Sequence, residues 1–482
     1  MRGFEERGRE MEQPNVVLIV CDTFRRDHLG AYGNPLIRTP HLDAMASRSV
    51  VFDHHVVSSF PTMPARADIL TGRFAYTFMG WEALPMGLQT LPGILTASGY
   101  LTTAVVDTPF FIRGGYGYDR GFDDFIWIRG QGDDTRPHER ADARLTWKTE
   151  SDRLVARTMT AAEEWLERHY KEPFFLYVDS WDPHEPWDAP DYYTALYEKD
   201  YDGRHLYPTY GKWRDAGLSE EDVATAHATY CGEVTMVDRW VGRLLEKIEV
   251  LGLTDNTIVM FTSDHGFFFG EHGLFGKAEW FHDPGAVVAE DANVPYWLIE
   301  SWLLTVGWSP LYQELTRIPL LVQLPGVEPG RREAMTTAPD LAPTILDLVG
   351  LEKPAGVQGS SFKQALLNGE AHRPFVVSSW PLYFAEGEMT TAVDSRPRRI
   401  ASYMPMTVTT QQRSLILGGP SEPPALFNLD EDPREARNVW AEETGEGLEL
   451  ARRAVSFLEE HETAAQFVRP RKLALEQFGA GH

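Results

Sequence analysis

Cysteine is almost missing from this chain: Cys21 and Cys231 are the only two in 482 residues. Two thiols cannot build a disulfide framework, and they fit a reducing compartment. Basic charge is short too. The 45 Lys and Arg face 71 Asp and Glu, leaving a formal net charge of −26. Such a surface repels phosphate backbones, and no concentrated basic stripe offsets it, so nucleic acid is not an expected partner. Long apolar runs are also missing. The first, Val16–Val20, is far too short to span a bilayer, and the N-terminal MRGFEERGREMEQPN lacks the apolar segment of a signal peptide. The expectation is a cytoplasmic protein with no membrane partner, while a homo-oligomer stays open.

What is present is globular in character. Hydrophobic residues make up 43% and charged residues 24%, which argues against both disorder and a fibrous repeat. Short apolar runs at Val16–Val20, Leu101–Val106, Phe174–Val178, Thr257–Phe261, Pro319–Leu324 and Phe375–Ser378 read as strands. Amphipathic stretches at Asp152–Arg168 and Glu233–Glu249 alternate with them and read as core-facing helices. This alternation predicts an α/β fold, a large mainly parallel sheet flanked by helices. After about residue 370 short alternating segments, Met406–Thr410 and Ser414–Leu417, predict a smaller antiparallel α+β subdomain closed by one helix over Leu448–Phe467. The expected division is an extension at 1–14, a catalytic domain at 15–370 with a Trp-rich insertion at 278–310, and a C-terminal subdomain at 371–482.

Chemistry collects at strand ends, where side chains converge beyond the carboxyl edge of an open sheet. One run leads through Cys21 into Asp22, and another into Ser263-Asp264-His265-Gly266. An Asp–His pair offers a carboxylate and an imidazole to one divalent cation, and the glycine eases the turn. Between them lies Thr62-Met-Pro64-Ala-Arg66, followed by Gly72. Pro64 suits a first helical turn and Gly72 a helix end, which puts the Thr62 hydroxyl at or just before a helix N-terminus. An anion is favoured there, and Arg66, one turn on, is expected to reach it. The plain alternative is that Thr62 only caps the helix.

Taken together these motifs resemble the sulfatase family within the alkaline phosphatase superfamily. Asn15 to Gly33, containing Asp22, is similar to the family's N-terminal signature, and Arg38-Thr-Pro-His-Leu-Asp43 follows it. Thr62 to Arg73 is similar to its nucleophile motif. Asp182-Pro-His184, then Ser263-Asp264-His265-Gly266 through His272 to Lys277, then Arg317-Ile-Pro-Leu-Leu-Val and Asp340 to Asp347, continue the likeness in order. With Leu426 to Asn438 the resemblance covers roughly 15–440. It implies a hydrolase acting on a small anionic ester with one divalent metal ion, Mn²⁺, Ca²⁺, Mg²⁺ or Zn²⁺. Asp22, Thr62, Asp264 and His265 resemble one metal site of the Thr-nucleophile phosphodiesterases in the same superfamily, which implies that they hold the metal. Arg66 and Lys277 hold the non-bridging oxygens, and His184 or His272 protonates the leaving oxygen.

Three departures qualify the likeness. Thr62 stands where the family has the cysteine that becomes formylglycine, and oxidation of threonine would give a ketone instead. The paired aspartates after the first strand are reduced to Asp22-Thr23, and Val106-Asp-Thr-Pro-Phe110 replaces the common Gly-Lys-x-His. The family's hydrated aldehyde expels sulfate by collapse, an exit closed to a threonine ester. The reading therefore leans to a phosphodiester or phosphonate monoester as substrate, as in Thr-nucleophile phosphodiesterases. The alternatives are a sulfuric ester hydrolase working without formylglycine and an inactive anion-binding pseudoenzyme.

Overall fold

The computed structural model describes residues 13–80, 82–112, 116–130, 147–277, 309–382, 405–418 and 423–479. The predicted extension up to residue 12 and insertion residues 278–308 lie outside the described residues. The large sheet has nine strands among the described residues: β1 Asn15–Cys21, β2 Val50–Val56, β3 Leu101–Val106, β4 Asp124–Trp127, β5 Phe174–Ser180, β6 Thr257–Ser263, β7 Arg317–Ile318, β8 Leu320–Gln323 and β9 Gly330–Thr337. Their order is β7-β2-β8-β6-β1-β5-β3-β4, with β9 beside β2. From β4 through β3, β5 and β1 to β6 every pairing is parallel. The sheet is mixed but mostly parallel, because β8 runs antiparallel to both β6 and β2.

The central strands are apolar on both faces because both faces are covered. Along β1, Val17, Ile19 and Cys21 belong to one core, shared with helices Leu154–His169 and Glu220–Val250. Val16, Leu18 and Val20 belong to the other, shared with Met63, Ala67 and Leu70 of helix Thr62–Thr71. An unbroken apolar run is what a strand buried on two sides requires. Helix Glu220–Val250 starts earlier than its apolar periodicity suggests, because Ser219 and Asp222 close a capping box there.

The C-terminal sheet, β10 Val376–Ser379, β11 Met406–Thr409, β12 Arg413–Leu417 and β13 Ala425–Asn428, is antiparallel throughout. The single closing helix expected there is two, Thr444–Glu460 and Ala465–Gly479. The chain turns between them at Glu462, whose φ of 55° is left-handed and cannot continue an α-helix. A third core joins this unit to the segment around helix Thr62–Thr71 through Val57, Phe60 and Phe74. Phe60 N–H donates to the Ser379 carbonyl at 2.9 Å, and Ser379 N–H returns a bond to Ser58 at 2.9 Å.

Gly266 serves a purpose other than easing a turn. Its N–H donates to the Leu315 carbonyl at 2.9 Å, and a Cβ placed on it would sit 1.9 Å from the Glu314 carbonyl oxygen. The obstructing atom is backbone, which cannot swing aside as a flexible side chain could. Gly266→Ala should lower stability by about 2 kcal/mol or more, read as a reduced urea midpoint at unchanged m-value.

Candidate active site

Four neighbouring parallel strands deliver side chains to one point. Register sets Cys21 level with Ser180 and with Ser263, and Val106 level with Asp179. Beyond these levels lie Asp22, Asp264-His265 and Asp107-Thr108. Helix Thr62–Thr71 approaches the same edge, buried along its whole length and ended by Gly72 at φ 64°. Asp68 fixes both ends of this segment, accepting from Ser59 N–H (2.9 Å), Ser59 Oγ–H (2.7 Å) and Ala75 N–H (2.7 Å). Burial pushes the Asp68 carboxyl up to about 8.

The Thr62 hydroxyl lies 3.2 Å from His265 Nε2. His265 Nδ1–H donates to the Gly266 carbonyl at 3.0 Å, which leaves Nε2 as the bare lone pair. Burial, reinforced by the Lys277 charge, pushes this imidazole down to about 3, so it is neutral. The same Nε2 is 3.8 Å from Asp22 Oδ1 and 3.5 Å from Asp264 Oδ2. One ligand atom from each of Asp22, Asp264 and His265 lies within 4.8 Å of the others. Burial and then the Asp264 carboxylate push Asp22 up to about 6. Two crowded buried carboxylates, an imidazole lone pair and a hydroxyl form a donor set that fits a divalent cation.

Thr23 has a larger part than a missing carboxylate suggests. It adopts φ 61°, a left-handed conformation that costs a β-branched residue roughly 1–3 kcal/mol. From there Oγ1–H donates to Asp22 at 2.6 Å and N–H donates to Asp264 at 2.9 Å. Both carboxylates are thereby aimed by one residue.

Arg66 is not placed as expected. Its side chain is fully buried, and its donors are bound to protein acceptors rather than directed at a substrate pocket. Nε and Nη2 grip Asp179 at 2.8 and 2.7 Å. Nη1 reaches Asp264 at 2.6 Å, Asp22 at 3.0 Å and the Thr62 carbonyl at 3.2 Å, while Nη2 also meets Thr108 Oγ1 at 3.3 Å. A guanidinium has five N–H groups, and these bonds occupy them. The cause is desolvation: a cation buried among three carboxylates is held by them. Asp179, which the sequence reading passed over, is central to this cluster and also accepts from Thr108 (2.6 Å) and Tyr177 (2.5 Å). Its only sequence signal is an acid directly after an apolar strand. Thr108, in the segment replacing Gly-Lys-x-His, is the other residue missed.

His184 and Lys277 come together as a pair. Lys277 Nζ–H donates to His184 Nε2 at 2.5 Å, and His184 Nδ1–H donates to the Glu185 carbonyl at 2.6 Å. Burial, then Lys277, holds the His184 imidazole well below its ordinary value. His184 is therefore a neutral acceptor, and the available proton sits on Lys277. His272 goes elsewhere: its Nε2 meets Glu314 at 3.2 Å, and its ring stacks on Tyr312 at 3.6 Å. It lines a cavity of about 980 Å³ with Arg26, Tyr312, Arg317 and Glu435, and none of the Thr62 cluster lines that space. Closeness to Lys277 along the loop did not carry it to Thr62.

Residues 14–351 match the family described as Sulfatase, and residues 309–454 match the one described as N-sulphoglucosamine sulphohydrolase, C-terminal. The N-acetylglucosamine-6-O-sulfatase of Bacteroides thetaiotaomicron is 24% identical over 448 residues, covering 74% of this chain and 72% of its own. The multifunctional alkaline phosphatase superfamily protein PehA of Trinickia caryophylli is 24% identical over 94% of this chain and 96% of its own. The phosphonate monoester hydrolase of Agrobacterium radiobacter superposes with a TM-score of 0.70 at 20% identity, covering 94% of this chain and 97% of its own.

The raised Asp22 carboxyl sets a pH test. Its folded form holds a proton more tightly than the usual value of 3.8, so it favours the fold below about pH 4, and that contribution is lost as pH rises through 6. With chelator present, Asp22→Asn should stabilise the protein by up to about 3 kcal/mol at pH 8 and by less than about 1 kcal/mol at pH 4. Urea unfolding at the two pH values checks this.

Proposed function

We propose that this chain, which belongs to the sulfatase family and is an ester-bond hydrolase, cleaves a small anionic ester by attack of Thr62. The observation that carries the reading is the Thr62 hydroxyl 3.2 Å from His265 Nε2, beside the Asp22–Asp264 pair. Sulfatase family members are metal-dependent, and Asp22, Asp264, His265 and Thr62 are the residues that would hold a cation. Bound there, a divalent ion lowers the pKa of a neighbouring hydroxyl and offsets charge that develops on the reacting group. The rest falls to side chains already in position.

Thr62 gives its hydroxyl hydrogen to solvent as Oγ1 attacks phosphorus or sulfur, the bond to the leaving oxygen breaks, and that oxygen takes a proton from Lys277, which solvent then replaces. His184, neutral with its Nε2 turned to Lys277, then draws a proton from water as the water oxygen bonds to phosphorus or sulfur, and passes that proton to Thr62 Oγ1 as the ester bond breaks. Ester and water thus become acid and alcohol. Arg66 is a positioning residue here. It fixes Asp22 and Asp264, while the Lys277 ammonium is left to face the non-bridging oxygens.

A phosphodiester or phosphonate monoester is the favoured substrate, because a threonine ester must be opened by water and has no aldehyde-type exit. The likeness to the phosphonate monoester hydrolase fold is consistent with this. A sulfate ester is the second reading, favoured by the sulfatase family match itself. Turnover of p-nitrophenyl phenylphosphonate, bis-p-nitrophenyl phosphate, p-nitrophenyl phosphate and p-nitrophenyl sulfate, with Mn²⁺, Mg²⁺, Ca²⁺ or Zn²⁺ and with chelator, separates them. The phosphonate or diester should be fastest, chelator should abolish the rate, and Thr62→Ala should lose roughly 10³-fold or more. Preference for the sulfate ester would reverse the phosphorus assignment. Equal background rates for native protein and Thr62→Ala would remove the enzymatic reading.

A further inference from the structure

We propose that His28, His227 and Cys231 form a second metal site, with the chemistry of a structural or regulatory zinc-type cation, apart from the Thr62 cluster. The three residues come from two elements that meet behind β1. His28 ends the short turn Arg26–His28 that follows the Asp22 loop. His227 and Cys231 sit four apart on helix Glu220–Val250, so both project from one face. His28 Nε2 and His227 Nε2 face each other at 2.7 Å, and Cys231 Sγ is 3.6 Å from His227 Nε2. All three donor atoms lie within 4.8 Å of one another.

The surroundings are those of a ligand set rather than a chance contact. His28 Nδ1–H donates to Asp27 Oδ1 at 2.8 Å, the carboxylate–imidazole arrangement that turns the other ring nitrogen toward a cation and raises its basicity. Asp27 is itself held by Arg25 at 2.8 and 2.6 Å, and Arg25 is balanced further by Glu271 at 2.7 Å. Aromatic walls complete the pocket: Tyr230 lies 5.1 Å from the His28 ring and Phe269 lies 5.0 Å from the His227 ring. His28 and Cys231 are buried, and His227 is half-buried, so an ion would enter past His227. Two imidazoles and a thiolate leave one position for water or a fourth ligand and select soft or borderline ions over Mg²⁺ and Ca²⁺.

Coordination balances without redox change. The Cys231 thiol gives its proton to solvent as the sulfur–metal bond forms. The hydrogen between the two facing Nε2 atoms belongs to His227, since His28 spends its own on Asp27, and it moves to His227 Nδ1. The site would tie the loop carrying Asp22 to the long helix, where at present Tyr230 bridges them through Arg25 N–H and the Thr23 carbonyl at 2.9 Å each.

Cobalt(II) titration of chelator-stripped protein tests the site without any substrate, because a thiolate–cobalt bond gives an intense near-ultraviolet charge-transfer band. The Thr62 cluster contains no sulfur and cannot produce it. One equivalent should give the band in native protein and equally in Thr62→Ala. Zn²⁺ should displace it, Asp27→Asn should weaken binding at least tenfold, and Cys231→Ser and His227→Gln should lose it while keeping the native circular dichroism. Absence of the band from native protein overturns the proposal. So does a band that survives in folded Cys231→Ser, since the sulfur would then be Cys21.

Discussion

A guanidinium without water must be surrounded by acceptors, and Arg66 is surrounded by Asp22, Asp179 and Asp264 at the carboxyl edge of three adjacent strands. Each aspartate belongs to a different strand end, and each would repel the others if the cation were absent. Register alone would bring β1, β5 and β6 level. It is the shared cation that lets three acids stand together there, with Thr62 one helical turn before it. The position of Thr62, the orientation of both candidate ligand carboxylates and the closure of the strand ends therefore share one cause. Removing the cation from such a buried cluster leaves its carboxylates uncompensated, typically a loss of about 3–5 kcal/mol.

Much of this was legible in the sequence. Apolar runs located β1, β3, β5 and β6 within a residue or two because strands buried on both faces admit few polar residues. Pro64 and Gly72 bounded the helix that begins at Thr62 because their backbone preferences are local. What periodicity cannot convey is where a long side chain goes once buried. Arg66 looked like a substrate contact, whereas burial turned it inward to acids far away in sequence. Asp179 went unnoticed because an acid at the end of a strand is indistinguishable from an ordinary polar boundary. His272 was grouped with Lys277 by proximity along the loop, but Tyr312 and Glu314 hold it on a different wall. Glu462 looked helical, and only its left-handed backbone divides the final helix.

Protonation follows the same division between local and distant causes. The His265 tautomer is set by its own neighbour, the Gly266 carbonyl. The neutrality of His184 comes first from burial and then from Lys277, which a different loop brings against it. Strain also has a place here. Thr23 holds a left-handed backbone in order to give one hydrogen bond to each of the two carboxylates, and the paired-aspartate pattern of the relatives would put a third acid into that same crowd.

The ring of Phe60 lies 5.0 Å from His265 and 4.6 Å from Trp380, so an aromatic from the C-terminal unit supports the wall against which the imidazole rests. The two units therefore do not behave as interchangeable modules. A recombination event that exchanged the region after residue 370 between distant relatives would replace the floor beneath the His265 imidazole, not merely a peripheral rim. Inheritance of both halves as a single block is the expected evolutionary signature of that stack.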